Sequence, residues 1–115
     1  MKVHGIVNCD TVKKARAWLD AHGVAYGWVD FRKAPPSLED LARWCRALGW
    51  ETLLNRRGTT WRALDDAAKA AVVDERTAIA LMATKPTLIK RPVVEAAGDV
   101  VVGFSEEAFA KRFAS

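Results

Sequence analysis

An α/β fold, a four-stranded mixed sheet with a helical insertion, is what this sequence predicts, and three observations predict it. Residues 2–31 read as strand, amphipathic helix, strand. Residues 86–113 read as a β-hairpin followed by a helix, and the stretch between them, about 37–85, carries helical patterning only. A crossover helix makes the first two strands parallel, while a short turn makes the last two antiparallel.

Each element has its own warrant. "KVHGIV", 2–7, has the β-branched content of a short strand. From about Asp10 to Ala21, with His22 beyond it, the residues Val12, Ala15, Trp18, Leu19 and His22 recur at helical spacing, opposite Lys13, Lys14, Arg16 and Asp20. Gly23 suits the end of that helix, and "AYGWVDF", 25–31, is a second strand. After the loop "RKAPPS", Ser37 and Asp40 form a near capping box, and Leu38, Leu41, Cys45 and Leu48 make one apolar face ending at Gly49. "ETLLN", "TTWRALDDAAKAAV" and "ERTAIALMATK" are short helical pieces, and Pro86 breaks the pattern. "TLIKRPVVEAAGDVVVGF" is then two strands turning near Ala97-Gly98-Asp99. Ser105 is an N-cap, Phe104 and Phe109 stand at hydrophobic-staple spacing, and a last helix over 106–113 carries Ala108, Phe109 and Phe113. The order β-α-β, helical block, β-β-α is the thioredoxin-like order with helices inserted between its halves. The chain, 1–115, reads as a single domain with the insertion at about 37–85.

Composition narrows the function classes. Half of the 115 residues are hydrophobic, five of them tryptophan, which is enough for a core without cross-links. Lys and Arg outnumber Asp and Glu by 18 to 14, a net charge of +4 that favours anionic ligands in general. The basic residues do not interleave with the tryptophans in one stripe, so nucleic acid is not the expected partner. "MKVHGIVN" lacks the apolar stretch of about 7–15 residues that a secretory leader carries, and no run reaches the ~20 residues of a membrane span. The two cysteines, Cys9 and Cys45, are far apart and not in a C-x-x-C pair, so a reduced, cytoplasmic protein is expected. His4 and His22 have no partners at metal-ligand spacing, and no metal site is expected.

Cys9 is the position with chemistry in it. It follows the first strand and immediately precedes the first helix, where unpaired N–H groups, here those of Asp10, Thr11 and Val12, stabilise an anion. A free thiol of pKa about 8.5 is about 3% ionised at pH 7, whereas one of about 6 is roughly 90% thiolate. Position alone leaves two readings open, a nucleophile or a small packing residue. Val12 stands where a C-x-x-C motif has its second cysteine, so a reactive Cys9 works as a monothiol. Cys45 shares a helical face with leucines and reads as core. Arg56, Arg57 and Arg62, with Lys90 and Arg91, are either a solvated face or a source of guanidinium forks for carboxylates and oxyanions.

"GIVNCDTVKKA", "LGWETLLNRRGTTWRAL", "ALMATKPTLIKRPVV" and "VVGFSEEAF" resemble, in order and over nearly the whole chain, the arsenate reductase-related family of ArsC/Spx type, in particular its YffB-like branch. The resemblance implies a thioredoxin-like fold with a helical insertion. It puts the catalytic cysteine at Cys9, an active-site arginine at Arg91 and the fold's cis-proline at Pro92. For this branch it implies a glutathione-dependent thiol reductase with no tightly bound cofactor. Arg91 and Arg57 would steady the thiolate and the glutathione carboxylates, and a small thiol or disulfide would be the substrate. Three departures matter. Asn55 stands where true arsenate reductases have an arginine after "LL", which weakens arsenate reduction with glutathione and glutaredoxin as the activity. A further arginine of the family near the last strand is replaced around Gly103-Phe104, which also weakens arsenate as substrate. Val12 removes the redox switch of Spx-type regulators, which weakens a non-catalytic role in contact with RNA polymerase.

Overall fold

Lys2–Gly5 (β1), Gly27–Asp30 (β2), Val93–Ala96 (β3) and Asp99–Val102 (β4) form one sheet in a computed structural model of the chain, which describes residues 1–113. The strand order is β2-β1-β3-β4, with β1 and β2 parallel and the other two pairs antiparallel. This is the predicted mixed sheet of a thioredoxin-like α/β fold. The strands are shorter than the apolar runs that announced them: Ile6 and Val7 have left β1, and Ala25 and Tyr26 precede β2.

Two compact units make up the chain, residues 1–33 with the chain from Arg91 onward, and residues 34–90. The first holds the sheet, helix α1 (Asp10–Ala21) and helix α7 (Glu106–Phe113). Register explains its core. Trp28 pairs with Val3, Val3 with Val94, and Val94 with Val101, so four apolar residues cross the sheet in one row. Side chains alternate between faces along a strand, which puts this row on one side. There it meets Ala15, Trp18 and Leu19 of α1 and Phe109 of α7. Phe109 makes edge-to-face contacts with Trp18, Phe104 and Phe113. Phe104 thus staples the start of α7, and the Ser105 hydroxyl accepts from the Ala108 N–H as its cap. Ala108, expected on the apolar face, is exposed: the helix rests on Phe109, with Phe113 half-buried a turn later.

The hairpin turn is only Ala97 and Gly98, and both have positive φ, 49° and 81°. Such a two-residue turn matches the strand twist, and glycine takes that backbone without a Cβ penalty. Gly23, at φ 67°, follows the C-terminus of α1 in the same way.

The second unit contains α2 (Leu38–Leu48), α3 (Trp50–Leu53), α4 (Thr59–Arg62), α5 (Asp66–Ala70), α6 (Glu75–Thr84) and a 3-10 turn at Pro86–Leu88. Ser37 and Asp40 complete a full capping box at the start of α2. The predicted apolar face of α2 needs correction: Leu38 is 61% exposed, and Trp44 is fully buried beside Leu41 and Cys45. Leu38 is the first helical residue, at the end of the packed face, where it lines a cleft of about 420 Å³ with Ala42 and Ile79. "TTWRALDDAAKAAV" is two helices because the Asp65 side chain accepts from the Ala68 N–H and starts a new one. Leu54 bridges to Ile89, and the Lys90 N–H donates to the Leu53 carbonyl. Among the described residues no helix is long and apolar enough to cross a membrane.

Candidate active site

Cys9 is the N-cap residue of α1, extended at φ −93° and ψ 122°. Two backbone hydrogen bonds fix it: its N–H donates to Ile6 O at 3.2 Å, closing a turn out of β1, and its carbonyl accepts from Lys13 N–H at 2.9 Å. A serine or aspartate usually holds this position and accepts from the N–H groups two and three residues on. Here those are the N–H groups of Thr11 and Val12, and the acceptor is sulfur. The sulfur closes no full capping bond, but the two N–H groups lie on its side and favour a thiolate over a thiol.

Partial burial opposes the thiolate, but it is outweighed by hydrogen bonds from the Val12 N–H and the Arg91 guanidinium, by the charge of Arg91, and by the Thr11 N–H. The thiol is held below its ordinary value of 9.0. Arg91 is half-buried and immediately precedes Pro92, and the Arg91–Pro92 peptide is cis, as the resemblance implied. The Pro92 carbonyl accepts from Gly103 N–H at 2.9 Å, tying this loop to the end of β4. The first unit therefore brings Cys9, Thr11, Val12, Arg91 and Pro92 to one end of its sheet.

The other sequence candidates fall differently. Asp10 is an exposed first-turn residue of α1, and the Val12 side chain is fully buried, so Val12 offers its backbone only. Arg57 belongs to the second unit and is exposed, and its N–H donates to Asn55 Oδ1 at 3.1 Å. Asn55 thereby braces its own turn, a task an arginine cannot perform. Arg56 lies 5.3 Å from the Trp50 ring and 5.9 Å from the Trp61 ring, a cation between two indoles.

Cys45 is chemically opposite to Cys9. It is 3% exposed, and burial together with the nearby charge of Glu75 pushes its thiol up to about 11. His4 is a buried polar residue that sequence reading left without a role. Its Nε2 lies 2.8 Å from Glu95 Oε1, a pair assembled across β1 and β3 from positions 91 apart in sequence. No short-range motif announces such a pair. A groove of about 790 Å³ begins at Thr11, passes Lys14 and Trp18 along α1, and reaches Ser105 and Glu106 at the start of α7. Among the described residues no three His, Cys, Asp or Glu side chains gather as metal ligands.

Comparison with known proteins decides the family. The model of the ArsC family matches residues 4–112. The chain belongs to the ArsC family. Among solved ArsC-like structures, a YFFB protein is 50% identical, with a TM-score of 0.93 over 98% of both chains. An ArsC-related protein from Brucella melitensis is 41% identical, with a TM-score of 0.78 over 99% of this chain and 94% of that one. An uncharacterised protein of Haemophilus influenzae is 42% identical over 97% of both chains. The global transcriptional regulator Spx of Streptococcus mutans is 28% identical over 87% of this chain and 73% of its own length. The thioredoxin-like ArsC fold thus holds over essentially the whole chain.

Proposed function

We propose that this ArsC-family protein is a thiol–disulfide oxidoreductase that works through Cys9 alone and uses glutathione as its co-substrate. The observation that carries the reading is the seat of the Cys9 sulfur, which has two helix N–H donors and the Arg91 guanidinium directed at it. The thiolate attacks the glutathione sulfur of a mixed disulfide, R–S–S–G; the R thiolate leaves, takes a proton, and Cys9 carries the glutathione. A second glutathione thiolate attacks that new disulfide, oxidised glutathione departs, and the Cys9 thiolate is restored. One disulfide is reduced and one formed, so the electrons balance. Pro92 and the N–H groups of Asp10, Thr11 and Val12 line the attack position, and Arg91 serves a carboxylate of the tripeptide. The reaction belongs in a reducing, cytoplasmic compartment.

The test is glutathione-dependent reduction of a glutathionylated peptide. Cys9→Ser abolishes turnover, and Cys45→Ala changes mainly stability; full activity in Cys9→Ser defeats the proposal. Arsenate reduction, a second reading suggested by the ArsC-related structure, uses the same cysteine and requires turnover with arsenate, glutathione and glutaredoxin. A third reading, a non-catalytic regulator in contact with RNA polymerase, is the one for which a relative named a global transcriptional regulator speaks; it predicts capture of polymerase subunits unaffected by Cys9→Ser.

A further inference from the structure

Gly5 is the last residue of β1, and its missing side chain has a specific neighbour. A Cβ built on it would lie 2.8 Å from Cγ2 and 3.2 Å from Cγ1 of Val12, and 3.3 Å from the Trp28 ring. The first of these is closer than carbon atoms approach. We propose that Gly5 is a positioning residue for Cys9: the bare backbone lets Val12 settle onto the end of β1, and this seats the first turn of α1 against the Cys9 sulfur.

None of the three walls yields easily. The Gly5 carbonyl accepts from Phe31 N–H at 2.8 Å, and Gly5 is paired with Asp30 in the sheet, so the strand end is pinned. The Trp28 ring sits under Arg16, whose guanidinium lies 4.1 Å from the ring centroid and donates to the Tyr26 hydroxyl at 3.2 Å. Val12 is fully buried, and a β-branched side chain in a helix has one strongly preferred rotamer, so it does not swing away. A methyl at position 5 is relieved by lifting the first turn of α1. That turn carries the Thr11 and Val12 N–H groups, and hydrogen bonds weaken steeply with such displacement. The role rests on the proposed reading of Cys9 as a thiolate nucleophile.

The test is the pH dependence of Cys9 alkylation by iodoacetamide, followed by peptide mass, in wild type, Gly5→Ala and the double variant Gly5→Ala with Val12→Ala. Circular dichroism establishes that each is folded. In Gly5→Ala the alkylation midpoint moves up, since fewer N–H groups hold the thiolate. The double variant, which removes both γ-methyls, recovers the wild-type midpoint. It does so even where Gly5→Ala alone is too unstable to measure. A Gly5→Ala protein with a lower melting temperature but an unmoved midpoint overturns the proposal, as does a folded double variant whose midpoint stays raised. A wild-type midpoint at the ordinary thiol value removes the nucleophile reading itself, and the positioning role with it.

Discussion

Native protein treated briefly with iodoacetamide at pH 7 should take the label on Cys9 and not on Cys45. The two thiols differ in ionisation first. With Cys45 pushed up to about 11, roughly one molecule in ten thousand carries that thiolate at pH 7. Cys9 lies below 9.0, so more than about one in a hundred is ionised. The ratio is at least about a hundredfold. Nucleophilicity moves the other way, since a less acidic thiol is the stronger nucleophile once ionised. With a Brønsted slope of about 0.5, two units return about tenfold to Cys45. Cys9 keeps an advantage of about tenfold or more from ionisation alone, and access adds to it because Cys45 is 3% exposed. Intact mass and peptide mapping read the result. Cys9→Ser should leave the native protein unlabelled on the same time scale, and unfolding it should open Cys45. Labelling of native Cys45 within about threefold of the Cys9 rate would refute the reasoning.

Three further outcomes follow from the same contacts. Arg91→Gln removes both a hydrogen bond and a charge from the sulfur, so it should raise the alkylation midpoint of Cys9 and lower thiol transfer; an unchanged midpoint contradicts the assigned contact. Because folding lowers the Cys9 pKa, the stability this site contributes is complete above the ordinary value of 9.0 and is lost as pH falls through the folded value. The stability difference between wild type and Cys9→Ala, measured in urea, should therefore widen as pH rises toward 9.0. Phe109→Ala empties a buried site with aromatic contacts at 4.8, 5.2 and 5.6 Å, and should cost about 3–5 kcal/mol in the same assay. A loss under about 1 kcal/mol would show that α7 does not rest on that ring.

What the sequence made legible is what local chemistry dictates. The span of α1, the Ser37–Asp40 capping box, the Phe104–Phe109 staple and the Ala97-Gly98 turn were all readable from neighbours within a few positions. Strand ends were less so, because Ile6 and Tyr26 suit a strand as well as the residues that form one. The buried face of α2 was misjudged at Leu38, because periodicity does not say where a packed face stops. Cys9 was visible as a candidate from its place before a helix, but the arginine that favours its thiolate comes from position 91 and entered through family resemblance. The His4–Glu95 pair and the approach of Val12 to Gly5 depend on register between distant segments, which no local pattern carries. Val12 itself was read for what it lacks, a second thiol; its buried side chain turns out to seat the helix.

The most direct test of a single reactive cysteine resolved by glutathione is intact mass after incubation with oxidised glutathione, followed by addition of reduced glutathione. The expected result is one glutathione adduct, mapped to Cys9, which the reduced tripeptide then removes. No adduct, or an adduct that maps to Cys45, would contradict the account.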